Sequence, residues 1–119
     1  MKFLNLTPHQ IAIVEGESST VYPVDGPAPR LAVEREALGQ IDGVSVVRST
    51  MGEPTGLPEP QDGVIVIVSA LVAEHPSVAT RTDLAYPGEA IRDADGKIVG
   101  AKGLCAGPGL AESLRAAVA

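Results

Sequence analysis

Gly63-Val-Ile-Val-Ile-Val-Ser-Ala-Leu-Val-Ala73 decides how the chain is read, because five consecutive β-branched residues, Val64 to Val68, stand between the turn signal Gln61-Asp62-Gly63 and a run of better helix formers. A strand with one wet face alternates apolar and polar residues, whereas an unbroken run of this length reads as a strand covered on both faces. The neighbours must then wrap it from two sides. Ser69 is placed to cap a helical turn over residues 70–75, its hydroxyl accepting from a backbone N–H that lacks a partner.

Outward from that strand, the chain is punctuated at short intervals. Lys2 to Leu6 and Gln10 to Val14 read as strands broken at Thr7-Pro8, since Pro8 has no N–H and drives Thr7 toward extended geometry. Thr20 to Val24 returns after the turn Glu15 to Ser19, and Asp25-Gly-Pro-Ala-Pro29 forces a loop. Arg30 to Glu36 alternates like a half-wet strand, with a helical turn expected over Glu36 to Gln40 and a further strand from Val44 to Thr50. Met51 to Gln61 holds three prolines and two glycines and reads as the longest irregular segment, a functional loop or a stiffened connector. Past the central strand, Tyr86-Pro-Gly88 marks a turn, and Asp95-Gly96 between Glu89–Asp93 and Lys97–Ala101 is a strong hairpin signal. Gly100 and Gly103 suggest a bulge or a close backbone approach. Cys105 to Gly109 reads as a linker, and Leu110, Leu114, Ala117 and Val118 fall at helical spacing. The expectation is one α+β domain over residues 1–119: a mainly antiparallel sheet of five to seven strands, a short helix after the central strand, and a short C-terminal helix.

With 119 residues and 45% apolar content, the chain has the length of one domain and enough material for a core. That core is filled by Val, Leu, Ile and Ala, because Phe3, Tyr22 and Tyr86 are the only aromatic residues. A net charge of −6 disfavours nucleic acid, whose binding rests on neutralising phosphates. The single cysteine, Cys105, forms no internal disulfide, and no apolar window is long enough for a signal peptide or a membrane span. These features together predict a soluble cytoplasmic protein that contacts neither nucleic acid nor membrane.

Candidate chemistry is sparse. His9 and His75 lack metal-ligand spacing to any cysteine, histidine or aspartate, so no metal and no cofactor is expected. Ser69 has none of the glycines of a nucleophile elbow, and Gly100 to Gly109 has neither of the phosphate-loop spacings and reads as a flexible linker. Arginine provides six of the nine basic residues, and its planar fork suits carboxylate and phosphate. Arg81 with Asp83 and Arg92 with Asp93 follow the central strand toward a sheet end, where ligands often bind. Their plainer alternative is mutual ion pairing. The first expectation is a non-catalytic binder of an anionic small molecule such as a nucleotide, through Arg81, Asp83, Arg92, Asp93, Arg48 and His9, with Arg30 as a further donor. The second is a protein-interaction module in which the Pro-rich loop or a sheet edge docks a host protein or a second copy. The third and weakest is a small hydrolase using Asp83, Asp93 or His9 as general base; more is said by the residues for binding than for catalysis.

Leu4-Asn-Leu-Thr-Pro-His9, Val66-Ile-Val-Ser69 with Val72-Ala73, and Arg92-Asp93 with Asp95-Gly96, Ile98 and Gly100 together resemble a group of small uncharacterised proteins of actinobacterial genomes, phages and prophages. The likeness spans residues 4–104 and implies a phage or mobile-element accessory role, with no chemistry attached to its motifs. Where that group tends to carry a cysteine and an arginine after the hairpin glycine, this chain has Ala101 and Lys102.

Overall fold

The computed structural model describes residues 2–118, and side chains through residue 117. Eight strands and two helices follow one another: β1 Lys2–Asn5, β2 Ile11–Glu15, β3 Ser18–Tyr22, β4 Arg30–Ile41, β5 Val44–Thr55, β6 Val64–Ile67, α1 Ala70–Ala73, β7 Leu84–Arg92, β8 Ile98–Ala106 and α2 Pro108–Val118. A 3₁₀ turn, Pro76–Val78, sits between α1 and β7. The α+β expectation holds, with its two short helices in the expected places.

Six strands form one mixed sheet in the order β1-β6-β7-β8-β2-β3. β6 runs parallel to both β1 and β7, and β2 runs parallel to β8, while the longer ladders β7–β8 and β2–β3 are antiparallel. Ile67 and Val68, adjacent and therefore pointing to opposite faces, are both 0% exposed. The valine and isoleucine block is thus covered from both sides. One cover is α1 with the turn after it, since Val72, Ala73 and Val78 pack with Leu6, Val66, Val68 and Leu84 in a single buried cluster. Ser69 occupies the N-cap position of α1 with extended backbone, but its hydroxyl makes no capping bond.

The sheet curls until its two edges meet. Asn5, at the end of β1 and fully buried, ties the seam. Its amide Nδ2 donates to the carbonyls of Tyr22 (2.9 Å) and His9 (3.0 Å), and its Oδ1 accepts from the N–H (2.9 Å) and hydroxyl (2.7 Å) of Thr7. Its own N–H donates to the Asp25 carboxylate at 2.8 Å, and Asp25 N–H returns to the Asn5 carbonyl at 2.9 Å. Phe3 and Tyr22 meet edge to face across the same seam, 5.7 Å between ring centroids.

Four local expectations are corrected. Met51 to Gln61 is not irregular throughout, because Met51 to Thr55 completes β5, with Pro54 opposite Leu31. Glu36 to Gln40 is not helical but lies inside β4, since one unsupported helical turn cannot compete with a ladder against β5. Tyr86-Pro-Gly88 is not a turn but the middle of β7: its partners on β6 end at Ala85, so the missing N–H of Pro87 costs no ladder bond on that side. Gly88 has no room for a side chain, because a Cβ there would collide with the Lys102 carbonyl oxygen. Cys105 to Gly109 is not a linker either. It ends β8 and starts α2, with Pro108 at the first helical position and Gly109 pressed against the Arg81 carbonyl oxygen.

β4 and β5 stand apart. They form a separate two-stranded ribbon, closed by Asp42-Gly43 with φ of 50° and 80°, the positive pair that a two-residue hairpin turn requires. Its packing is almost wholly between its own strands, and the radius of gyration is 17.2 Å with extents of 54 × 39 × 31 Å. A compact domain of this length has a radius of about 13.5 Å. The ribbon accordingly extends the molecule well beyond a globule.

Candidate functional site

The arginines singled out from the sequence are not brought together. Arg81 donates from Nε (2.9 Å) and Nη2 (2.7 Å) to the two oxygens of Asp83, a bidentate pair beside α2. Asp83 is 6% exposed, so its charge is held where only a paired carboxylate is tolerated. Arg92 lies at the other end of β7, roughly 27 Å along the strand. It donates to the Gly96 carbonyl at 2.8 Å, while Asp93 Oδ1 accepts from the N–H of Asp95 (2.9 Å) and of Lys97 (3.0 Å), fixing the β7–β8 turn. Arg48 is exposed on the ribbon, paired across it with Glu36, and Arg30 starts the ribbon. His9 is exposed in the loop after β1, and it is its carbonyl, not its ring, that the fold uses.

An open pocket of about 390 Å³ lies over Val14, Glu15, Gly16, Lys102 and Gly103, and two smaller ones lie along the sheet. One, about 310 Å³, is lined by Thr7, His9, Ile11, Pro87 and Ile98 among others. The other, about 290 Å³, is an apolar groove between the curled sheet and α2, walled by Phe3, Ile65, Leu104, Cys105, Leu110 and Leu114. Neither is lined by Arg81, Arg92 or Arg48. Among the described residues, no three His, Cys, Asp or Glu side chains converge as a metal would need, and no helix is long and apolar enough to cross a membrane.

Two polar clusters escaped the sequence reading because each closes through a residue distant along the chain, Tyr86 with Glu74 and His75 with Met51. The Tyr86 hydroxyl donates to the Glu74 carboxylate, beside Cys105. That bond, with burial and the negative charge of Glu74 adding to it, pushes the phenol up to about 12. His75 accepts at Nδ1 from the Ser77 N–H (3.1 Å) and hydroxyl (2.8 Å), which places the ring proton on Nε2, 3.4 Å from the Met51 carbonyl at the root of the ribbon.

The ribbon itself is the most unusual surface. Val33, Leu38, Ile41, Val44, Val47 and Met51 are all exposed, Ile41 and Val44 by two thirds. Residues two and four apart in a strand share a face, so the cross-strand pairs Val33–Met51 and Ala37–Val47 lie on one face with Arg35 and Ser49 between them, while Val44, paired with Ile41, lies on the other with Arg48. Its root is anchored, since Leu31 and Leu57 pack against the main core. Beyond the root, both faces and both long edges of the ribbon are open. Comparison with protein-family models, with curated proteins and with solved structures finds no match.

Proposed function

We propose that this protein is a non-catalytic protein-interaction module that docks its partner through the β4–β5 ribbon. One observation carries the reading: a twelve-residue pair of strands projects from the sheet with its apolar side chains in water. A two-stranded hairpin is marginal by itself and gains stability when a face is covered. Exposed apolar area of this kind marks an interaction surface, and open strand edges offer backbone bonds to a partner as well. The docking element is the ribbon, with the Pro-rich segment that follows serving as its return to the core.

Small-molecule binding through the arginines has less support, because Arg81 and Arg92 are engaged locally and stand at opposite ends of β7. Hydrolysis has less still: Asp83 is committed to Arg81, and Asp93 to its turn.

The test replaces residues 34–50 by Asn-Gly, which keeps the Val33–Met51 pair as a short hairpin. The shortened chain should keep the cooperative unfolding midpoint of the full chain and lose a partner that the full chain retains at stoichiometric amount through purification. A shortened chain that retains the same partner equally well overturns the reading.

A further inference from the structure

We infer that the inner face of the curled sheet, walled by α2, is a binding site for a small amphiphile: a linear aliphatic chain lying between sheet and helix, with a cationic head at Glu15. The site is separate from the ribbon and does not depend on the docking role proposed above.

The hollow follows from residue size. Residues in register on neighbouring strands share a face, so Ile67, Ala85 and Ala106 make one row across β6, β7 and β8, with the pair Phe3 and Ile65 beside it on the same side. Two of the three residues in that row are alanines, too short to reach α2. The result is the groove of about 290 Å³ under Leu110 and Leu114, whose walls carry no charged side chain. Its volume is close to the lower end of the roughly 300–1,000 Å³ typical of small-molecule sites. Leu114 is 53% exposed over it. An apolar hollow takes an apolar guest in preference to water, which needs polar partners.

Shape selects the class of guest. A further hollow of about 270 Å³ adjoins the groove, and Phe3 and Leu104 are walls of both. Phe3 on β1 and Leu104 on β8 stand three strands apart in the sheet, so both hollows lie on the inside of the curl. The space runs past Phe3 as an elongated channel, which suits a chain better than a compact ring system. Its far end is polar, lined by Tyr22 and Glu15 beside Gly103. A Cβ on Gly103 would stand 2.9 Å from Glu15 Oε1, so the carboxylate uses the room that this glycine leaves at the mouth.

Charge selects the head. No ion pair of the described residues includes Glu15, whereas the neighbouring Lys102 is 3.7 Å from Glu89. The charge without a counterion at the mouth is therefore negative, in a chain of net charge −6, and it favours an ammonium head over a carboxylate on the same chain.

Isothermal titration with decylammonium, decanol and decanoate, each below the concentration at which it aggregates, tests the site. The full chain should show one saturable site per molecule, tightest for decylammonium and weakest for decanoate. Glu15→Gln should weaken decylammonium by about threefold, the scale of one exposed ion pair, and leave decanol unchanged. Ala106→Leu, which fills the groove, should weaken both by tenfold or more. Leu114→Gln, at an exposed position that the fold does not depend on, should weaken both severalfold and carries the test should Ala106→Leu lower the unfolding midpoint. The chain with residues 34–50 replaced by Asn-Gly should bind as the full chain does. Binding that never saturates, that is tightest for decanoate, that survives Leu114→Gln unchanged, or that is lost with the ribbon overturns the inference.

Discussion

At the scale of single residues, Asn5 does the most. The opening motif Leu4-Asn-Leu-Thr-Pro-His9 could have been a catalytic signature, yet its asparagine and threonine are spent on closing the sheet. Asn5→Ala would leave the Tyr22 carbonyl and the Thr7 N–H short of partners, while the His9 carbonyl keeps the Thr7 hydroxyl, at about 1–3 kcal/mol for each buried group left unpaired. A loss of about 2 kcal/mol or more in urea unfolding is expected. A loss under about 1 kcal/mol would mean that water replaces the amide at the seam. Tyr86 gives a second residue-scale prediction. Its hydroxyl holds Glu74, and its folded pKa of about 12 lies above the ordinary value of 10.0. The bond's contribution to stability is therefore complete below pH 10 and is lost as pH rises toward 12, because the unfolded chain releases that proton first. In a Tyr22→Phe background the phenolate absorbance should titrate near pH 12, and adding Glu74→Ala should bring the midpoint back toward 10.

At the scale of elements, what was legible was whatever local pattern dictates. The block from Val64 to Val68, the hairpin at Asp95-Gly96, the glycines of close approach and the C-terminal helix were all read from periodicity or turn chemistry. The close approaches are real: a Cβ on Gly100 would lie 3.0 Å from the Ala12 carbonyl oxygen. The failures share a cause, which is that pairing across the chain overrides local preference. Glu36 to Gln40 is drawn into β4 by β5, and Tyr86-Pro-Gly88 is drawn into β7 by β8. The same Asp-Gly signal recognised at Asp95-Gly96 also stands at Asp42-Gly43, where the expected helical turn masked it. The site residues were chosen by type and proximity in sequence, which reveals local pairs such as Arg81–Asp83 but not that β7 separates them from Arg92. Two substitutions test the elements. Ile67→Ala should cost about 2–5 kcal/mol, as large-to-small changes at a fully buried site do. Gly109→Ala should destabilise too, by about 1–3 kcal/mol, because the added methyl group meets the Arg81 carbonyl oxygen and not a movable side chain. An unchanged unfolding midpoint for Gly109→Ala would show that α2 does not seat where the sheet ends.

At the scale of the whole molecule, the chain divides its apolar residues between two uses. Val66, Ile67, Val68, Val72 and Leu84 are buried in a core that is complete within one chain, while Val33, Leu38, Ile41, Val44, Val47 and Met51 are carried out on the ribbon. A partner that binds the folded ribbon stabilises it by mass action, whereas the curled sheet gains nothing locally. Hydrogen exchange of the amides in β5, from Val44 to Met51, measured on the chain with the partner it retains and on the chain freed of it, reads that difference directly. The account predicts strong protection in the complex that is lost in the free chain, with β6 protected equally in both. Protection in β5 that is the same with and without the partner would contradict it.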